Sequence, residues 1–251
     1  MNREERRAMA RPKRHLAIAR KEITIDDLLQ ATMKMVWDAT RGIRDPKSLM
    51  DLYRTSYRKI RGDIEQSLAL GTEKGLVACK KGCSACCSLA VESTVPDVWI
   101  LWSHIRGLPQ DQIDDLTRRL LAARDATKDR DVEDWHLAEV FCPFLEDGGV
   151  CGGYDHRPLA CAAHSSPDPA PCSGGPDVIV KSLATPKVVA SGFSEGWNEV
   201  LTASGVESRW VRLVDALARV LDDPTAYTRW LAGEAVFEGI EDLGDQMPGN
   251  G

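Results

Sequence analysis

The sequence lacks any long hydrophobic run. The longest apolar string near its cysteines, VWILW at 98–102, is far short of the roughly 18–20 residues that cross a bilayer as a helix. The N-terminal stretch MNREERRAMARPKRHLAIARKE has no apolar core of the length a secretory leader needs. These absences argue against a membrane partner and predict a cytoplasmic protein. There is no basic excess either. The net charge is −6, so the total gives no reason to expect nucleic acid as a partner. No glycine-rich loop follows a strand-like run, which leaves no motif for cradling a nucleotide-like cofactor. No internal repeat is present. Cysteine is absent from the first 78 residues and from the last 79. Eight cysteines scattered at random would rarely leave both ends so empty.

What is present is an ordinary globular composition. With 251 residues and 43% hydrophobic content, the chain has enough apolar surface to form a core without disulfide staples. Residues 1–22 carry eight Lys or Arg against three Glu, a net +5 that leaves −11 on the remainder. They read as a basic, solvated and poorly ordered arm. The arm has no aromatic residue, which weakens a role in stacking on single-stranded nucleic acid. Residues 23–251 read as a single helical domain with a cysteine core at 79–172.

Helical spacing dominates outside that core. Ile25, Leu28, Leu29, Met33, Val36 and Trp37 share one face. After RDPKS, Leu49, Leu52, Tyr53, Tyr57, Ile60, Ile64 and Leu68 share another, ended by GTEKG at 71–75. Pro96 opens a short helix with Trp99 and Trp102 one turn apart. Ile113, Leu116 and Leu120 define the next helix, followed by a charged connection at 124–134. Trp210, Leu213, Val214, Leu217, Val220 and Leu221 predict an amphipathic helix stopped by DDP, and the tail GDQMPGNG is expected to fray. The fold class is therefore mainly α, a single helical domain around an irregular cysteine-rich centre with a short β-hairpin.

The centre carries the chemistry. CKKGCSACC holds Cys79, Cys83, Cys86 and Cys87 within nine residues. Cys83 and Cys86 form a C-x-x-C, whose tight turn lets two soft thiolates face one metal. Lys80 and Lys81 supply positive charge that stabilises thiolates, and Gly82 supplies a bend. Adjacent side chains point different ways, so a single tetrahedral zinc would rarely take both Cys86 and Cys87. Either one of the two packs, or more than one metal ion is held. CPFLEDGGVCGGY at 142–154 reads as a hairpin turning at Asp147-Gly148. That turn pairs Leu145 with Val150 and Phe144 with Cys151, and brings Cys142 and Cys151 onto one face. In DHRPLACAAH, Pro158 starts a short helix that sets Cys161 and His164 one turn apart. Cys172 ends the proline-stiffened SSPDPAPC as a ligand, a spare thiol or a buried small residue. His164 is a candidate ligand and His156, beside the hairpin exit, a weaker one, while His15, His104 and His136 have no evident partners. In a cytoplasmic chain such a cluster points to metal or redox chemistry rather than disulfides.

These motifs resemble the YkgJ-like cysteine-cluster family, associated with chelation of zinc or iron. The pattern is a cysteine run ending in a CC doublet, then CPFL, a cysteine before a Tyr, and RP-x-x-C. CKKGCSACC, CPFLEDGGVCGGY and RPLAC follow it in order. The first spacing departs from it, being C-x3-C. Ala162 stands where members often have Arg, and Asp97 stands for the acidic residue, often Glu, downstream of the doublet. The resemblance implies metal binding by Cys79, Cys83, Cys86, Cys87, Cys142, Cys151 and Cys161, with Cys172 an eighth candidate. Asp97, Tyr154, Arg157 and His164 are candidates for the surrounding polar shell. A related cysteine-rich region in flagellin lysine N-methylase implies an iron–sulfur cluster. The expected cofactor is an iron–sulfur cluster or iron, with zinc as the alternative. Two competing roles stand beside plain metal binding. One is a metal-dependent enzyme of redox or methyl-transfer type, although no nucleophile–base pair is legible. The other is a structural zinc module that organises a partner-binding surface.

Overall fold

A computed structural model describes residues 23–80, 82–130, 140–168, 170, 172 and 183–243. The basic arm at 1–22, Lys81, residues 131–134 of the charged connection, His136 and the tail from 244 lie outside the described residues. The described residues are mostly helical, as expected. In chain order the helices are α1 (Ile25–Ala39), α2 (Pro46–Glu73), α3 (Val95–Ile105), α4 (Gln110–Thr127), α5 (Leu159–Ala163), α6 (Ala184–Ala203), α7 (Leu213–Leu221) and α8 (Ala226–Leu231). Strands β1 (Glu92–Thr94) and β2 (Trp210–Arg212) pair antiparallel, with Ser93 opposite Val211. No helix among the described residues is long and apolar enough to cross a membrane.

Local chemistry sets the helix starts. Thr24 caps α1 through a reciprocal box with Asp27, and Asp45 caps α2 ahead of Pro46, accepting from the Ser48 amide at 2.8 Å. The inward face of α1 is narrower than its periodicity suggests. Met33 and Val36 are buried, while Ile25 and Trp37 are exposed. The reason is one close neighbour, α6. A Cβ on Gly192 would sit 2.7 Å from the Leu29 carbonyl oxygen, and one on Gly196 would sit 3.0 Å from Val36 Cβ. Two hydrogens, one turn apart, let the helix backbones approach.

The helical face of α2 is borne out, with Leu49, Tyr53, Tyr57 and Ile64 buried. Trp99 is core, ringed by Trp102, Tyr227, Trp230 and Phe237 at 5.1–5.5 Å between ring centres. Two boundaries differ from expectation. Helix α4 runs on to Thr127, and buried Arg212 donates to the Thr127 carbonyl at its end and to the Arg130 carbonyl just beyond it. Trp210 lies in β2 rather than in the helix that follows. Pairing with β1 extends residues 210–212, and the amphipathic pattern becomes helical only from Leu213.

Candidate metal centre

The cysteine run is held by backbone bonds to two later segments. The Ala78 amide donates to the Ser166 carbonyl at 2.8 Å, and the Ser166 amide donates to Cys79 Sγ at 3.2 Å. The Cys142 amide donates to the Cys87 carbonyl at 2.7 Å. Between these ties the run folds back on itself. Cys83 N–H bonds the Lys80 carbonyl, Cys87 N–H bonds that of Ser84, and a 3-10 turn spans Ala85–Ser88.

The Asp147-Gly148 region does reverse the chain, but in a different register. Leu145 bridges Cys151, not Val150. Gly148 and Gly149 both have positive φ, 82° and 77°, and the Glu146 amide reaches the Val150 carbonyl across the loop. That register leaves three residues in the loop, Asp147, Gly148 and Gly149, one more than a two-residue turn has. The Leu145 amide also bonds back to the Cys142 carbonyl, so Cys142 sits in a turn and strand alternation does not govern it. Cys142 and Cys151 nevertheless face one cavity. Gly149 brings the loop tip against the cysteine run, since a Cβ there would lie 3.0 Å from the Gly82 carbonyl oxygen.

Helix α5 presents Cys161. Its start is fixed from the core. Buried Asp97 accepts the Leu159 amide at 3.0 Å on one carboxylate oxygen and the Tyr53 hydroxyl at 2.5 Å on the other. Burial pushes the Asp97 carboxyl up to about 6, against the downward pull of those two hydrogen bonds. Tyr57 adds a hydrogen bond to the Arg157 carbonyl at 2.6 Å. Asp97 thus acts on the site through the backbone that carries Cys161.

Seven cysteines, Cys79, Cys83, Cys86, Cys87, Cys142, Cys151 and Cys161, line a single cavity of about 500 Å³. Cys86, Cys142, Cys151 and Cys161 interact electrostatically in every pairwise combination. Cys172 lies off the cavity wall, within electrostatic range of Cys79, Cys83 and Cys86. Burial pushes Cys142 up to about 11 and raises Cys151 and Cys161. Cys86 is raised first by its hydrogen bond with Cys87 and then by burial. At neutral pH these groups are thiols, so a metal that takes them releases protons. All eight cysteines are free of disulfides.

The polar candidates are gathered too. Tyr154, Arg157 and His164 line the same cavity, and Asp97 stands behind it. The Arg157 guanidinium lies over the Tyr154 ring at 4.2 Å and pairs with Glu65 at 3.6 Å. Burial lowers His164. His104 and His156 form a stacked pair, with ring centres 4.3 Å apart, that no motif announces. His104 Nε2 lies 3.2 Å from the Gly152 carbonyl oxygen, on the loop beside Cys151. One histidine ends α3 and the other lies in a 3-10 turn, a proximity that no local spacing encodes.

The donors are soft thiols on backbone held from three segments, which suits zinc, iron or an iron–sulfur cluster. Among the described residues, no three His, Cys, Asp or Glu side chains are gathered closely enough to hold one ion. They surround a space instead of converging on a point. Residues 78–173 match the family model CxxCxxCC, described as "Putative zinc- or iron-chelating domain". The cysteine-cluster resemblance is thereby borne out over just over a third of the chain. No curated protein and no solved structure matches the chain.

Proposed function

We propose that the protein binds iron as an iron–sulfur cluster, held by Cys86, Cys142, Cys151 and Cys161, with zinc as the second choice. The observation that carries this reading is the mutual proximity of those four thiols around a cavity of about 500 Å³. A tetrahedral zinc, with Zn–S near 2.3 Å, draws its four sulfurs to about 4 Å from one another. A cluster bound by four thiolates spreads them around a larger inorganic body. Cys79, Cys83 and Cys87 on the same wall supply further ligands or redox-active thiols. Free thiols in this number fit a reducing compartment, which supports a cytoplasmic location.

The cavity also favours an enzymatic role over a purely structural one. Beyond the thiols the cavity is walled by apolar side chains, Leu68, Val77 and Leu213 among them, which gives a small organic molecule a surface beside the metal. Redox chemistry or protein modification remain the reaction classes that fit.

The test is anaerobic purification, with metal content by mass spectrometry and an absorption spectrum from the same sample. Iron with acid-labile sulfide and broad absorption toward the blue is expected. Cys161→Ser is expected to lose most of the metal, and Cys172→Ser to keep it. Colourless protein with stoichiometric zinc would reassign the site as structural. Metal-free protein with eight reactive thiols would end the metal reading.

A further inference from the structure

We propose that the cavity beside the thiols binds a hydrophobic organic acid. Its apolar body would lie against Leu68, Val77, Phe144 and Leu213, and its carboxylate at Arg157. Beyond the thiols the cavity extends along apolar side chains, and small-molecule sites combine such walls with a few placed polar groups. The polar end is defined by charge. Glu65 is shared by two guanidiniums, Arg61 at 3.0 Å and Arg157 at 3.6 Å. The other nearby acid, Asp155, pairs with Arg61 at 3.4 Å and is 77% exposed, hence strongly screened. One positive charge at that end therefore has no buried counter-charge. Arg157 is on the cavity lining, and a guanidinium whose plane is fixed against a ring is suited to a carboxylate. Lys80 and Glu73, also on the lining, are exposed and opposite in charge.

This inference rests on the reading of the thiols as a metal site only for the wall that the metal completes. The test uses full-length protein purified anaerobically, with metal measured on each sample, titrated calorimetrically with octanoate and with octan-1-ol. Saturable one-to-one octanoate binding is expected, with octanol weaker by at least about tenfold for want of the charge-assisted bond. Arg157→Gln is expected to reduce octanoate to the level of octanol while metal content holds. Ala69→Trp, an exposed helix position on the lining, is expected to fill the space and abolish binding of both. Equal affinity for acid and alcohol, or undiminished binding by Ala69→Trp, overturns the proposal. Metal-loaded protein that ignores octanoate overturns it and leaves the metal reading intact. Metal-free protein that binds octanoate does the reverse.

Discussion

Asp97 shows how one buried side chain sets the geometry of a distant one. Its two carboxylate oxygens accept from Tyr53 on α2 and from the first amide of α5, which carries Cys161. Its folded-state pKa, about 6, lies above the ordinary 3.8 because burial outweighs the hydrogen bonds. The folded state therefore holds this proton more tightly than the unfolded chain. The associated stability is fully present below about pH 4 and is lost as pH rises through 6, about 3 kcal/mol in all. Asp97→Asn keeps an acceptor for Leu159 and offers its amide to the Tyr53 oxygen. In thermal melts from pH 4 to 7, the variant is expected to gain on the wild type as pH rises. Asp97→Ala leaves both donors bare in the core and is expected to cost about 2–4 kcal/mol near pH 4, and less as pH rises to 7, because it too lacks the titrating group. An Asp97→Asn profile parallel to that of the wild type would refute the titration argument.

Among the elements, the α1–α6 pair depends on what is missing from its interface. Gly192→Ala would push a methyl group to 2.7 Å from the Leu29 carbonyl oxygen, a backbone atom that cannot swing aside. The expected result is a loss of about 1–3 kcal/mol in denaturant unfolding, despite the better helix propensity of alanine. Gly62, inside α2 with nothing within 4 Å of an added Cβ, is the control. Gly62→Ala is expected to gain about 0.5–1 kcal/mol. If both substitutions stabilise, the helices are not in close contact there.

The same pair explains what could be foreseen from the residues. Helix α2 was legible because Leu49, Tyr53, Tyr57 and Ile64 recur at helical spacing and are buried. Helix α6 was not, because its buried face includes Gly192, Ser194, Gly196 and Asn198, which carry no apolar period. Strand β2 depends on β1, more than a hundred residues earlier, and no window around Trp210 contains that information. The thiols themselves were plain in the sequence. The cavity they border was not, since its walls come from α2, α3, the cysteine loops and Leu213.

For the whole molecule, the distribution of ties predicts how metal loss would spread. The thiol-bearing segments at 79–87, 142–151 and 161 are held to each other by a few backbone bonds. The α1–α6 contact and the aromatic cluster around Trp99 lie in the helical body and involve none of them. Hydrogen exchange on chelator-treated protein is expected to speed up mainly at residues 79–87, 142–151 and 159–164 and to leave α1, α3 and α6 protected. Uniform acceleration across both regions would mean that the metal site supports the entire fold.

The short strand pair has a consequence for how the protein is made. Residues 92–94 find their partners only at 210–212, and the next residue, Leu213, bonds the Val91 carbonyl and closes one side of the cavity. At ribosomal speeds of ~5–20 residues per second, the cysteine run waits on the order of ten seconds for that wall to emerge. During that interval Cys79, Cys83, Cys86 and Cys87 lie on an unfinished chain, open to oxidants and to any thiophilic ion. Residues 210–213, made long after the cysteine run, complete that wall, so assembly of the centre is ordered in time.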